Sequence, residues 1–200
     1  SFATPEMVIS SAPMPARKSE AFSFMTTANK ITIFRVICIP VFILLMYLNG
    51  DAMRYAALVV FIVASLSDFL DGYIARHYNQ VSNFGKFMDP LADKMLVISA
   101  MILFVAHGRM DAWMLVVIVA REFAVSGLRL VAVEQGRVIA AAKSGKIKTA
   151  CTMVCIILML FLGQMATFDL ACSLLILITT VYSGVEYFVV NRDVLKSETV

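Results

Sequence analysis

Four aspartates between Ser67 and Lys94, in SDFLDGYIARHYNQVSNFGKFMDPLADK, are spaced to act together. Asp68 and Asp71 are three residues apart and Asp89 and Asp93 four apart, so on helices each pair occupies one face. A short connection makes the two helices antiparallel neighbours and lets the pairs face each other. Four carboxylates crowded at the edge of an apolar medium repel one another and resist ionisation. A divalent cation removes that penalty, and an all-oxygen donor set selects a hard ion, Mg²⁺ or Mn²⁺, over zinc or copper. Capping could explain one of these acids, but not four in two pairs.

Other residues of the same stretch suit a phosphorylated ligand. At Gly72 and Gly85 no side chain stands in the way of a bulky group approaching the backbone. Arg76 follows Gly72 by about one helical turn and is a phosphate partner by chemistry.

The elements that must hold these residues are apolar. The chain has 200 residues, of which 60% are hydrophobic and 16% charged, and its mean hydropathy is +0.85. A soluble domain of this length needs a larger polar coat. Six apolar stretches, at about 33–48, 54–75, 87–106, 112–133, 146–165 and 169–190, are read as membrane spans. Lipid offers no partners to backbone groups, so these are expected to be helices. The expected fold is an all-α integral membrane protein with six transmembrane helices.

Charge sets the orientation. Lys30, Arg35, Arg76, Lys86, Arg137, Lys143, Lys146, Lys148, Arg192 and Lys196 fall on one side of the spans. The other side carries Arg54 and Arg109, near Asp51, Asp111 and Asp169. The positive-inside rule makes the first side cytoplasmic and places both termini there. The acids lie at that side, so the expected site is on the cytoplasmic face of the cell (inner) membrane. Residues 26–200 form the expected domain, and 1–25 are read as a flexible leader or an expression-derived segment.

Several features are excluded or set aside. No basic run is interleaved with exposed aromatics, so nucleic acid is not an expected partner. Cys38, Cys151, Cys155 and Cys172 lie in apolar stretches and are read as packing residues. His77 and His107 are read as interfacial loop residues, and Tyr47, Tyr55, Trp113, Tyr182 and Tyr187 as interface or packing aromatics. Arg121 differs, because it lies within an apolar span and needs an anion: Glu122, a neighbouring aspartate or substrate.

The aspartate stretch resembles the signature of the CDP-alcohol phosphatidyltransferases, D-x2-D-G-x2-A-R-x8-G-x3-D-x3-D. Asp68, Asp71, Gly72, Ala75, Arg76, Gly85, Asp89 and Asp93 match every fixed position. The resemblance implies that Asp68, Asp71 and Asp89 bind metal. Asp93 would be the general base and would touch a second ion, so that Mg²⁺ or Mn²⁺ is expected as two ions. Gly72, Ala75, Arg76 and Gly85 would line a CDP pocket.

Three shorter segments resemble the branch that forms phosphatidylglycerol phosphate. In ANKITIFRVICIP, Asn29, Thr32, Arg35 and Pro40 match its opening motif, which would place Asn29 and Thr32 at the CDP pocket; Ala28 stands where proline is usual. AREFAVSGLR and SGKIKTA match two further motifs of that branch.

The implied activity is transfer of the phosphatidyl group from CDP-diacylglycerol to glycerol 3-phosphate, with release of CMP, in phospholipid biosynthesis. Arg121, Arg129, Lys143, Lys146 and Lys148 are the candidates for the acceptor phosphate. The family is typically homodimeric. The aspartate stretch does not separate this branch from siblings that use phosphatidylglycerol, inositol phosphate or serine. A cation transporter is a distant alternative, which predicts acids near the bilayer midplane and broken helices.

Overall fold

The computed structural model describes residues 27–48, 50–78, 83–137, 139 and 142–196. Within those helices, the side chains of 27–31, 68–78, 83–90, 93 and 195–196 lie outside the described residues. The described chain is all-helical: α1 Thr27–Tyr47, α2 Asp51–Tyr78, α3 Asn83–Ala106, α4 Ala112–Glu134, α5 Lys143–Leu162, α6 Ala166–Val190 and a short α7 Arg192–Lys196.

Each expected apolar stretch falls largely within one of the six long helices. Among the described residues, α5 and α6 are by themselves long and apolar enough to cross a membrane, each with mean hydropathy 1.8. Shorter apolar segments cover Thr32–Tyr47 of α1 and Lys94–Ala106 of α3. In α2 and α4 charged residues interrupt the apolar run. Arg121 and Glu122 of α4 are partly buried, while Val116, Phe123 and Leu130 form an exposed apolar stripe at 66%, 70% and 63% exposure. A stripe of that kind suits lipid contact rather than water.

α1 packs along both α2 and α3, α5 lies against α6, and α4 against α6. Phe42 of α1 and Phe61 of α2 meet with ring centroids 5.8 Å apart, at the centre of a core that includes Leu96, Phe104, Ile118, Ile156, Met159 and Ile176. A smaller cluster joins Val125, Leu128 and Ala132 of α4 to Tyr187 of α6 and Val194 of α7. Cys38, Cys155 and Cys172 are buried and all four cysteines are unpaired, as packing residues should be.

The end of the bundle opposite the α4–α5 connection is tied by a buried arginine. Gly108 ends α3 at φ +68, a backbone conformation open to glycine, and the Arg109 N–H donates to the Phe104 carbonyl at 2.8 Å. This turn drops the Arg109 side chain inward. Its Nη2 donates to the Met159 and Gly163 carbonyls at 2.7 and 2.6 Å, closing the last turn of α5. The Met165 N–H donates to Asp169 Oδ2 at 3.3 Å, which anchors the start of α6 on the same carboxylate that Arg109 meets. His107 is exposed in this connection, as expected, with Nδ1 2.6 Å from the Leu103 carbonyl.

Candidate active site

Asp68 and Asp71 lie on α2, about two turns before its end, and Asp89 and Asp93 lie on the first turns of α3. α2 and α3 touch, and only residues 79–82 separate them. Gly72, Ala75 and Arg76 follow on α2, and Gly85 opens α3. The side chains of this set, of Asn29 on α1 and of His77 on α2 lie outside the described residues. Among the described residues no cluster of three or more His, Cys, Asp or Glu could hold a metal. Thr32 and Arg35 are buried within α1 at 0% and 1% exposure.

A cavity of about 650 Å³ lies beside this segment, walled by α3, α4, α5 and α6, with Ser65 of α2 at its edge. Arg121 and Arg129 of α4 and Lys146 and Lys148 of α5 all line it. Lys143 is exposed at the start of α5 and is not part of the wall. It stands five positions before Lys148, which places it roughly 140° around the helix at 3.6 residues per turn.

The structure adds groups to the site that sequence reasoning passed over. Lys94, next in the chain to Asp93, lines the cavity and donates to the Ser126 hydroxyl of α4. Ser126 in turn donates to the Glu122 carbonyl at 2.7 Å. Glu122 is a ligand to two cations: its Oε1 accepts from Arg121 Nη1 at 3.0 Å and from Lys148 Nζ. The three side chains are 13%, 15% and 10% exposed for Arg121, Glu122 and Lys148, so each charge depends on the others for compensation.

Arg121 is held from a second side. Its Nη2 donates to Ser183 of α6 at 2.8 Å, and its Nε has no hydrogen-bond partner. Gly184 makes this possible: a Cβ there would stand 2.9 Å from Arg121 Cγ. Arg129 donates through Nε to the Tyr187 hydroxyl at 2.8 Å, with its guanidinium carbon 5.3 Å from the centre of the Tyr187 ring. Tyr187 is thus more than a packing aromatic, since it aims an arginine at the cavity wall.

Two arginines and three lysines around one carboxylate form a cavity suited to a multiply charged anion of a few heavy atoms. Each motif that nominated these residues is short, and Lys148 lies 26 positions from Glu122 in the chain, so only the folded helices reveal them as neighbours.

A family model described as CDP-alcohol phosphatidyltransferase matches residues 25–184. A Bacillus subtilis protein named CDP-diacylglycerol–glycerol-3-phosphate 3-phosphatidyltransferase is 42% identical over 187 residues, 84% of this chain and 96% of that protein. An Escherichia coli K12 protein of the same name is 42% identical over 130 residues, 62% of this chain and 70% of its own. A Rickettsia typhi protein, again of that name, is 48% identical over 101 residues, 50% of this chain and 57% of its own. With a match spanning nearly all six long helices and every fixed position of the aspartate signature present, the chain belongs to the CDP-alcohol phosphatidyltransferase family.

Proposed function

We propose that this protein transfers the phosphatidyl group of CDP-diacylglycerol to glycerol 3-phosphate, forming phosphatidylglycerol phosphate and CMP. The observation that carries the acceptor assignment is the cavity in which Arg121, Arg129, Lys146 and Lys148 converge beside the aspartate helices. The names of the relatives agree with it.

The substrates dictate the layout. One is a lipid with a water-soluble head and the other dissolves in water, so a site at the ends of the helices serves both. In this reading six helices cross the inner membrane, the site faces the cytoplasm, and two copies form a homodimer.

Asp68, Asp71 and Asp89 would hold Mg²⁺ or Mn²⁺, and Asp93 would reach a second ion; their oxygen donors fit such hard cations. When bound, the metal supplies charge neutralisation at the pyrophosphate. Gly72, Ala75, Arg76 and Gly85, with Asn29 and Thr32, bind the CDP moiety. Asp93 accepts the proton of the acceptor hydroxyl, whose oxygen attacks the β-phosphorus as the bond to CMP breaks. A positioned base of this kind contributes about 10²–10⁴-fold in rate. The cavity holds the acceptor phosphate, turning an encounter between two anions into an oriented pair.

The test is release of CMP from CDP-diacylglycerol by purified protein, with and without glycerol 3-phosphate and divalent metal. The proposal requires CMP release to depend on both. Turnover with phosphatidylglycerol or inositol phosphate, and none with glycerol 3-phosphate, would reassign the acceptor.

A further inference from the structure

Glu122 poses a problem for a cavity that takes a phosphate, because a carboxylate there repels the ligand. Neutralising Lys148 and Arg121 explains its Oε1, which accepts from both. It does not explain Oε2, which accepts no hydrogen bond from any described residue and is not among the buried unpartnered atoms.

The donors around it sharpen the point. Lys and Arg side chains carry protons and no acceptor lone pair. Glu122 is the one carboxylate among the described residues lining a cavity that also presents Lys94, Arg121, Arg129, Lys146 and Lys148. These cations can satisfy a phosphate. None of them can accept a hydrogen bond from an alcohol. A ligand that carries both a phosphate and a hydroxyl that does not react needs both kinds of partner in the same cavity.

We infer that Glu122 reads the secondary hydroxyl of the acceptor: Oε2 accepts its hydrogen bond while the surrounding cations hold the phosphate. Glu122 is then a specificity-determining residue. It favours a phosphorylated glycerol over a phosphorylated alcohol of the same length that lacks the middle hydroxyl. This rests on the acceptor assignment above and names what that site selects.

The experiment compares kcat/KM for glycerol 3-phosphate and 3-hydroxypropyl phosphate, in the unaltered enzyme and in Glu122→Gln and Glu122→Ala. A hydrogen bond to a charged acceptor predicts that the unaltered enzyme prefers glycerol 3-phosphate by about tenfold or more. The preference should shrink in Glu122→Gln, which keeps a weaker acceptor oxygen, and approach parity in Glu122→Ala. The ratio isolates hydroxyl recognition, because a purely structural role would lower both acceptors together. Near-equal use of the two acceptors by the unaltered enzyme, or a full preference retained in variants slowed equally on both, would overturn the role of Glu122. Failure of the unaltered enzyme to use glycerol 3-phosphate at all would instead overturn the acceptor assignment, and this inference with it.

Discussion

Arg109 and Asp169 form a two-pronged ion pair, with Nε donating to Oδ2 at 2.9 Å and Nη2 to Oδ1 at 2.7 Å. Both side chains are buried, at 5% and 3% exposure, and the same guanidinium closes the end of α5. Removing one partner strands the other charge away from water. Asp169→Asn is expected to destabilise the protein by about 3–5 kcal/mol, read as thermal unfolding in detergent. Turnover per folded molecule should hold, since the cavity residues lie on the other half of α5. Arg109→Lys should also destabilise, because an ammonium cannot reproduce the fork.

Gly184 sets the position of Arg121. Any side chain at 184 meets Arg121 Cγ, which is part of the stem rather than a free end. Gly184→Ala is expected to push Arg121 off Ser183 and raise KM for glycerol 3-phosphate by about fivefold, the equivalent of one hydrogen bond of about 1 kcal/mol. KM for CDP-diacylglycerol should stay put. A rise in both would mean that the α4–α6 packing, not Arg121, had been disturbed.

Lys148 pairs with Glu122, and in the proposed function it also serves the acceptor. In Lys148→Met the carboxylate keeps Arg121 alone, and the cavity becomes less positive by one charge. KM for glycerol 3-phosphate is expected to rise about 10–100-fold, as for loss of a charge-assisted contact. Steady-state kinetics at two salt concentrations would check it, and an unchanged KM would return Lys148 to a structural role.

The proposed function divides the aspartates by task. Asp93→Asn is expected to cut CMP release by about 10²–10⁴-fold while CDP-diacylglycerol still binds. Asp68→Asn and Asp71→Asn should weaken nucleotide binding that depends on Mg²⁺ or Mn²⁺, and chelation should abolish it in the unaltered protein. Equilibrium binding of CDP-diacylglycerol, measured beside turnover, separates the two effects. Turnover retained in Asp93→Asn would remove the general base.

Helix placement could be read from hydropathy because lipid and core demand the same thing of a span, while the ends followed other rules. α5 starts at Lys143 rather than 146, since a polar first turn is as helical as an apolar one. It stops at Leu162 rather than 165, because Gly163 takes φ +78. α7 was invisible: its five residues, RDVLK, carry no apolar period. Arg121 stood out as a charge within an apolar span, and its partner Glu122 is adjacent in sequence. Lys94 did not stand out, because a lysine beside Asp93 reads as an ordinary topological charge until α4 brings Ser126 to it. Ser183 and Tyr187 were equally silent, as their partners lie 62 and 58 residues away in the chain.

The Lys94–Ser126 contact has a practical meaning for engineering. Lys94 shares a helix with Asp89 and Asp93 but reaches the wall formed by α4. It adds a polar tie between α3 and α4 to the apolar core that the six long helices share. A variant redesigned for a different alcohol would keep this tie only if position 126 retained a hydroxyl to accept from Lys94.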